Sequence, residues 1–220
     1  NPAEYGRFLT SFLPLQQRIA RIGMLNSLSQ TAMKLTCPGV PDIYQGQEIW
    51  DLSLVDPDNR RPVDYQHRLR LLEEIEGKLE GEGSDRASLC RELMRHWQDG
   101  RPKLYLTRTL LQLRGRRPNL FREGSYQALE GAGERADHLI AFHRSAGDVD
   151  MVVVAPRLCH GLYGASMEDD AGWPGGEIWG DTVVQGVPAG EEWVGVLSGR
   201  RFTARGGSIA VAELLADFPV

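Results

Sequence analysis

The sequence predicts an α+β protein, with helices first and an antiparallel β part after them. Three features predict it. Residues 14–36 repeat apolar side chains at intervals of three and four, which gives one buried helix face. Three more helical stretches precede Pro118. Beyond Pro118 the texture turns to short strand-forming runs separated by Gly, Pro and Asp, the pattern of an antiparallel sandwich or barrel.

Taken in order, the first helix is expected to start at Pro14, because a missing N–H is harmless in a first turn. Leu15, Ile19, Ile22, Leu25, Leu28 and Ala32 form its inner face, and Pro38 with Gly39 ends it. Val40–Tyr44, closed by Gly46, is too short for a helix and reads as a buried strand. Helix feeding strand is an α/β unit, but one strand cannot make a parallel sheet. A polar loop, 51–65, holds Pro57 and Pro62. Helices are predicted over 64–79, 86–98 and 102–114, and strands over 126–129, 138–142, 151–155, 182–187, 192–197 and 208–211. The change of texture places a domain boundary near residue 120.

Composition narrows the function classes. The chain has 220 residues, 41% hydrophobic and 25% charged, ordinary for a soluble protein. No apolar run approaches the roughly 18 residues of a membrane span. A net charge of -5 disfavours a nucleic-acid binder, which needs concentrated positive surface. A basic strip at 101–122 and an acidic one at 161–193 read as solvated faces and intrachain pairs. Cys37, Cys90 and Cys159 are an odd, scattered set, so free thiols in a reducing, cytoplasmic setting are expected. The first residues form no signal peptide. The chain does not begin with Met and is expected to be a mature product or a piece of something longer.

The densest polar cluster is Asp51, Asp56, Asp58, Asn59, Arg60, Arg61 and Asp64. Carboxylates and guanidinium groups accept from and donate to hydroxyls, and the faces of Tyr44 and Trp50 suit the apolar side of a pyranose. The competing reading is a surface loop stiffened by Pro and internal ion pairs. The same loop lacks the Gly and terminal Glu of a calcium site, and the five His form no close ligand set, so neither metal nor cofactor is expected. His138 and His143 are weak catalytic candidates. No nucleophile elbow, phosphate loop or dinucleotide turn is present. Trp173, Trp179 and Trp193 are either a sugar platform or, more economically, buried aromatics.

Residues 38–68, PGVPDIYQGQEIWDLSLVDPDNRRPVDYQHR, carry a resemblance. Gly39 to Glu48 resembles the last barrel strand of the alpha-amylase superfamily of glycoside hydrolases, and residues 50–65 resemble the loop of its maltooligosyltrehalose synthase branch. The resemblance implies that residues 1–80 are the last helix–strand–helix part of a (β/α)8 barrel, 81–119 a helical elaboration, and 120–220 an antiparallel β-sandwich domain. It implies an enzyme that turns the reducing-end α-1,4 link of a maltooligosaccharide into an α,α-1,1 link by intramolecular transglucosylation. The three carboxylates of such an enzyme lie on earlier strands, so this chain is expected to be an inactive carboxy-terminal portion without catalytic residues. Tyr44, Gln45, Trp50, Asp56, Asp58, Asn59, Arg60 and Arg61 are then expected to bind or brace the sugars. The implied partners are an α-1,4-glucan, the missing amino-terminal part, and a maltooligosyltrehalose trehalohydrolase in the same pathway. Competing readings are a glucan-binding or structural module, another superfamily hydrolase or transglycosidase, and, least supported, an RNA binder using the basic strip.

Overall fold

A computed structural model describes residues 2–81, 83–164, 175–188 and 192–220. Helix α1 spans Pro2–Thr36, so it starts well before Pro14. Pro14 withholds one N–H from the helix ladder, and the helix continues through it because the residues on either side are compatible with helix. The expected inner face splits in two. Met24, Leu25, Leu28, Ala32 and Leu35 are buried, whereas Leu15 and Ile19 are 49% and 60% exposed.

The strand expected at Val40–Tyr44 does not form, and Val40 is 96% exposed. A strand needs a neighbour for its N–H and C=O groups, and none of the described strands lies beside it. The segment is irregular backbone up to a turn at Gly46.

Helix α2 spans Tyr65–Glu80; the Asp64 carboxylate caps it, accepting from the His67 N–H at 2.8 Å. Leu71 and Ile75, one turn apart, are its buried residues. Asp85 caps α3 (Arg86–Arg95) in the same way through the Ala87 N–H, the carboxylate filling an otherwise unpaired donor. A 3-10 turn at Trp97–Asp99 and left-handed Gly100 lead into α4 (Arg101–Arg116), and α5 (Pro118–Arg122) follows.

The β part has strands β1 (Gln127–Ala132), β2 (Leu139–Ala146), β3 (Val149–Pro156), β4 (Val183–Gln185), β5 (Glu192–Val194), β6 (Arg201–Thr203) and β7 (Ser208–Ala210). Among the described residues they form an antiparallel five-stranded sheet, β3-β2-β1-β4-β7, and a separate β5–β6 ribbon. Strand β1 gives its first half to β2 (Gln127 opposite His143) and its second half to β4 (Glu130 opposite Gln185), so the sheet changes partners along one strand. Gly147, at φ 62°, supplies the left-handed position in the β2–β3 hairpin. Short helices α6 (Cys159–Tyr163) and α7 (Val211–Leu214) flank the sheet.

The expected sandwich is corrected by what covers the sheet. Alternate residues of β2 and β3 face opposite ways. Leu139, Ala141 and Val154 join the main core with α1 and α4, and Phe142, Met151 and Val153 join a smaller cluster with Leu120 and Phe121 of α5. Helices, not a second broad sheet, make both covering layers there. The main core runs from Met24 to Phe218, joining the helical and β parts through one apolar interior.

Candidate functional site

The candidate residues lie on the segment between α1 and α2, which two anchors hold. The Trp50 indole N–H donates to the Trp97 carbonyl at 2.6 Å. Ile49 packs so tightly on Gly100 that a Cβ there would lie 2.7 Å from the Ile49 Cβ. The second anchor is Arg68 on α2, which donates to the Gly46 carbonyl at 2.7 Å and pairs with Glu48 at 3.0 Å. Hydrogen bonds from the Ser53 hydroxyl and N–H hold the Asp51 carboxyl below the usual carboxylate range. Burial pushes the Lys103 ammonium down, with Lys34 adding to the effect; Asp51 and Glu48 act the other way.

Beyond this lies a second, self-contained cluster. Arg60 grips Asp56 with two donors, both at 2.6 Å, and Arg61 pairs with Asp58. Asp58 also accepts from the Leu54 N–H at 3.1 Å. A 3-10 turn, Asp58–Arg60, closes the loop. Both guanidinium groups are largely exposed, so water screens these pairs and each adds little to stability. The Asn59 side-chain oxygen is buried without a hydrogen-bond donor, an unmet acceptor inside the loop.

The eight candidates are therefore not one constellation. Asp56, Asp58, Asn59, Arg60 and Arg61 are brought together. Trp50 turns inward onto Trp97 and serves as an anchor. Tyr44 and Gln45 are exposed, and among the described residues no hydrogen bond or ion pair links their side chains to the 56–61 loop. Asp64 is spent on capping α2. Sequence reasoning missed Arg68, the last residue of the 38–68 segment and part of α2, and Lys103, which lies outside it on α4. The pairing of Arg68 with Asp64 four residues earlier was the available signal, and it was ambiguous with an ordinary helix contact.

Other candidates resolve simply. Trp179 is fully buried and offers no face to a sugar; Trp193 is half-buried; Trp173 lies outside the described residues, as do Glu168, Asp169, Asp170 and Glu191. In the basic strip, Arg101 pairs with Asp99 and Arg108 with Glu76. His143 pairs with Asp150 on the neighbouring strand at 2.6 Å. Among the described residues no three His, Cys, Asp or Glu are placed to hold a metal ion, and no helix is long and apolar enough to cross a membrane.

No family model matches the chain. Proteins from two strains of Mycobacterium tuberculosis, whose names propose a maltooligosyl trehalose synthase, are 38% identical to it over 195 residues. That match takes in 89% of the chain and 20% of the relatives' length. The solved maltooligosyltrehalose synthase of Arthrobacter ramosus is similar at 36% identity and a TM-score of 0.66, over 90% of this chain and 21% of that one. A second solved structure of a maltooligosyl trehalose synthase matches at 29% identity and a TM-score of 0.59, over 90% of this chain and 22% of that one. The chain thus spans about a fifth of the length of the relatives it matches.

Proposed function

We propose that the chain is the carboxy-terminal portion of a trehalose-forming glucosylmutase. The parent enzyme turns the reducing-end α-1,4 linkage of a maltooligosaccharide into an α,α-1,1 linkage by intramolecular transglucosylation. The observation that carries this reading is the 38% identity over 195 residues to proteins about five times as long. In this reading 1–80 is the end of a catalytic barrel, 81–119 a helical elaboration and 120–220 the β domain. The nucleophile and acid lie in the remaining four-fifths of the parent, and the chain alone is inactive.

The chemistry requires two carboxyl groups at the anomeric carbon and a pocket that keeps the released glucose from water until it has turned and re-attacked. The part assigned to this chain is the second requirement. Asp56, Asp58, Asn59, Arg60 and Arg61 present acceptors and donors for hydroxyls, and the unmet Asn59 oxygen supports a polar ligand there. Tyr44 and Gln45 supply exposed contacts, and Trp50 sets the height of the loop through Trp97. The free thiols fit a cytoplasmic enzyme, and a trehalose-releasing hydrolase would consume its product.

The test is product analysis with maltopentaose. The chain alone is expected to give no non-reducing product and no free glucose, and the parent enzyme to give mainly the non-reducing isomer. Arg60→Ala in the parent is expected to shift products toward hydrolysis by roughly tenfold, the ratio set by one lost charge-assisted contact. A parent that only hydrolyses overturns the mutase reading. An unchanged partition in Arg60→Ala removes Arg60 from the site.

A further inference from the structure

A buried arginine that meets no carboxylate lies where the candidate segment leaves α1. Arg144 on β2 is 1% exposed. Its guanidinium donates to Thr36 O at 3.1 Å, Gly124 O at 3.1 Å, Ser125 O at 3.3 Å and Phe121 O at 3.4 Å. None of the ion pairs among the described residues includes it. Arg114 on α4 reinforces it, donating to Leu35 O at 2.9 Å and Gly39 O at 3.4 Å. The Phe121 ring packs against both, 4.6 Å from the Arg114 Cζ and 5.8 Å from the Arg144 Cζ, within the range where a cation gains from an aromatic face.

Burying a guanidinium is costly unless its donors are used. Here they are used on backbone. The last carbonyls of a helix have no partner inside it and carry the negative end of its dipole. The two arginines take Leu35 O and Thr36 O, the last of α1, and then Gly39 O, the first stretch of the candidate segment. The far end of that stretch is fixed by Arg68 on Gly46 O. Residues 40–45 run between these anchors and have no side-chain hydrogen bond of their own among the described residues. Between them only Ile43 reaches the main core, so Tyr44 and Gln45 are placed by that contact together with the anchors at Gly39 and Gly46.

We infer that Arg144, seconded by Arg114, is a positioning residue: it ties the β domain to the end of α1 and so aims the segment that carries Tyr44 and Gln45. The sheet serves the site as a brace. The catalytic consequence rests on the function proposed above; the aiming of the segment does not.

Cys37, the first residue beyond α1, is the reporter for the experiment. Cys90 and Cys159 are buried and report global opening. Burial raises the Cys37 thiol pKa and the Arg144 cation lowers it. Removing the cation alone would leave less thiolate and slow labelling. Release of the segment would speed it, so the sign separates the two. In the full chain, Arg144→Met is expected to raise the Cys37 labelling rate by roughly tenfold, the ratio for one lost bond to a charged group, with Cys90 and Cys159 unchanged. Arg114→Gln, the milder variant, is expected to move it the same way by less. Arg144→Lys keeps the charge but offers a single nitrogen, and should recover part of the effect. In the parent enzyme the same variants are expected to raise KM and the hydrolysed share of product more than they lower kcat. Slower or unchanged Cys37 labelling overturns the inference. So does faster labelling with unchanged KM and product partition in an active mutase, because the arginine would then be structural only. A wild-type parent with no mutase activity overturns the functional reading instead, and the labelling result still decides the aiming.

Discussion

At the scale of single residues, burial decides the chemistry of the thiols. Cys90 sits in the main core beside Tyr105, whose hydroxyl donates to the Leu197 carbonyl at 2.6 Å. Burial, with the nearby Asp217 carboxylate adding to it, pushes the Cys90 pKa from 9.0 up to about 12. Burial likewise raises Cys159 to about 11 and drives Tyr105 upward. A folded pKa above the unfolded one means that the unfolded state releases its proton first as pH rises. The stability from Cys90 is therefore complete below pH 9.0 and is lost as pH climbs toward about 12. The thermal midpoint is expected to fall above pH 9.0, and Cys90→Ala to make that fall shallower while lowering the midpoint at neutral pH through the cavity it leaves. Melting curves from neutral pH to about pH 11 check this; parallel curves for the two proteins would mean that the folded thiol ionises as freely as the unfolded one.

At the scale of elements, the joint between the candidate loop and the helices turns on Gly100. Its φ of 83° belongs to the left-handed region, and Ile49 leaves no space for a Cβ. Gly100→Ala is expected to cost about 1–3 kcal/mol from backbone strain alone, and to loosen the Trp50–Trp97 contact. Chemical denaturation measures the first effect, and a red shift of tryptophan emission the second. A neutral substitution would mean that the loop does not rest on the α3–α4 junction. The same joint shows why legibility was uneven. α2, α3 and α4 were readable because each pairs a start signal, Asp64, Asp85 or Pro102, with apolar residues at helical spacing. β2 and β3 were readable because their runs are long. β6, α5, α6 and α7 were missed because three to five residues hold little pattern, whereas the equally short β4, β5 and β7 lie within the longer strand-forming runs 182–187, 192–197 and 208–211. Val40–Tyr44 was misread because its apolar run is the same whether or not a partner strand exists. The 56–61 cluster was legible as a motif. Its anchors on Gly46, Trp97 and Gly100 were not, because they are contacts between elements.

At the scale of the whole molecule, the amino-terminal half of α1 carries an exposed apolar stripe. Tyr5, Phe8, Phe12, Leu15 and Ile19 follow a 3-4-3-4 spacing and are between 43% and 67% exposed. Phe8 and Phe12 stack on each other at 5.2 Å. A continuous apolar stripe of this kind marks a covered surface in a complete protein. The relatives are about five times as long as the chain, and the function proposed above sets the stripe against the rest of the barrel. The rest of the molecule is closed differently: Asp217, 2% exposed, holds Arg91 and Arg200 together and ties the chain's last residues to α3. These two situations predict opposite outcomes for one pair of substitutions. Phe8→Glu with Phe12→Glu in this chain is expected to leave the unfolding free energy within about 0.5 kcal/mol, as for surface changes, and to reduce binding of a hydrophobic dye. In the parent enzyme the same pair is expected to cost about 3–5 kcal/mol or more, because two charges would be buried where two rings had packed. Equal effects in both proteins would mean that the stripe is exposed in the parent as well, and the placement of α1 against the barrel would be wrong.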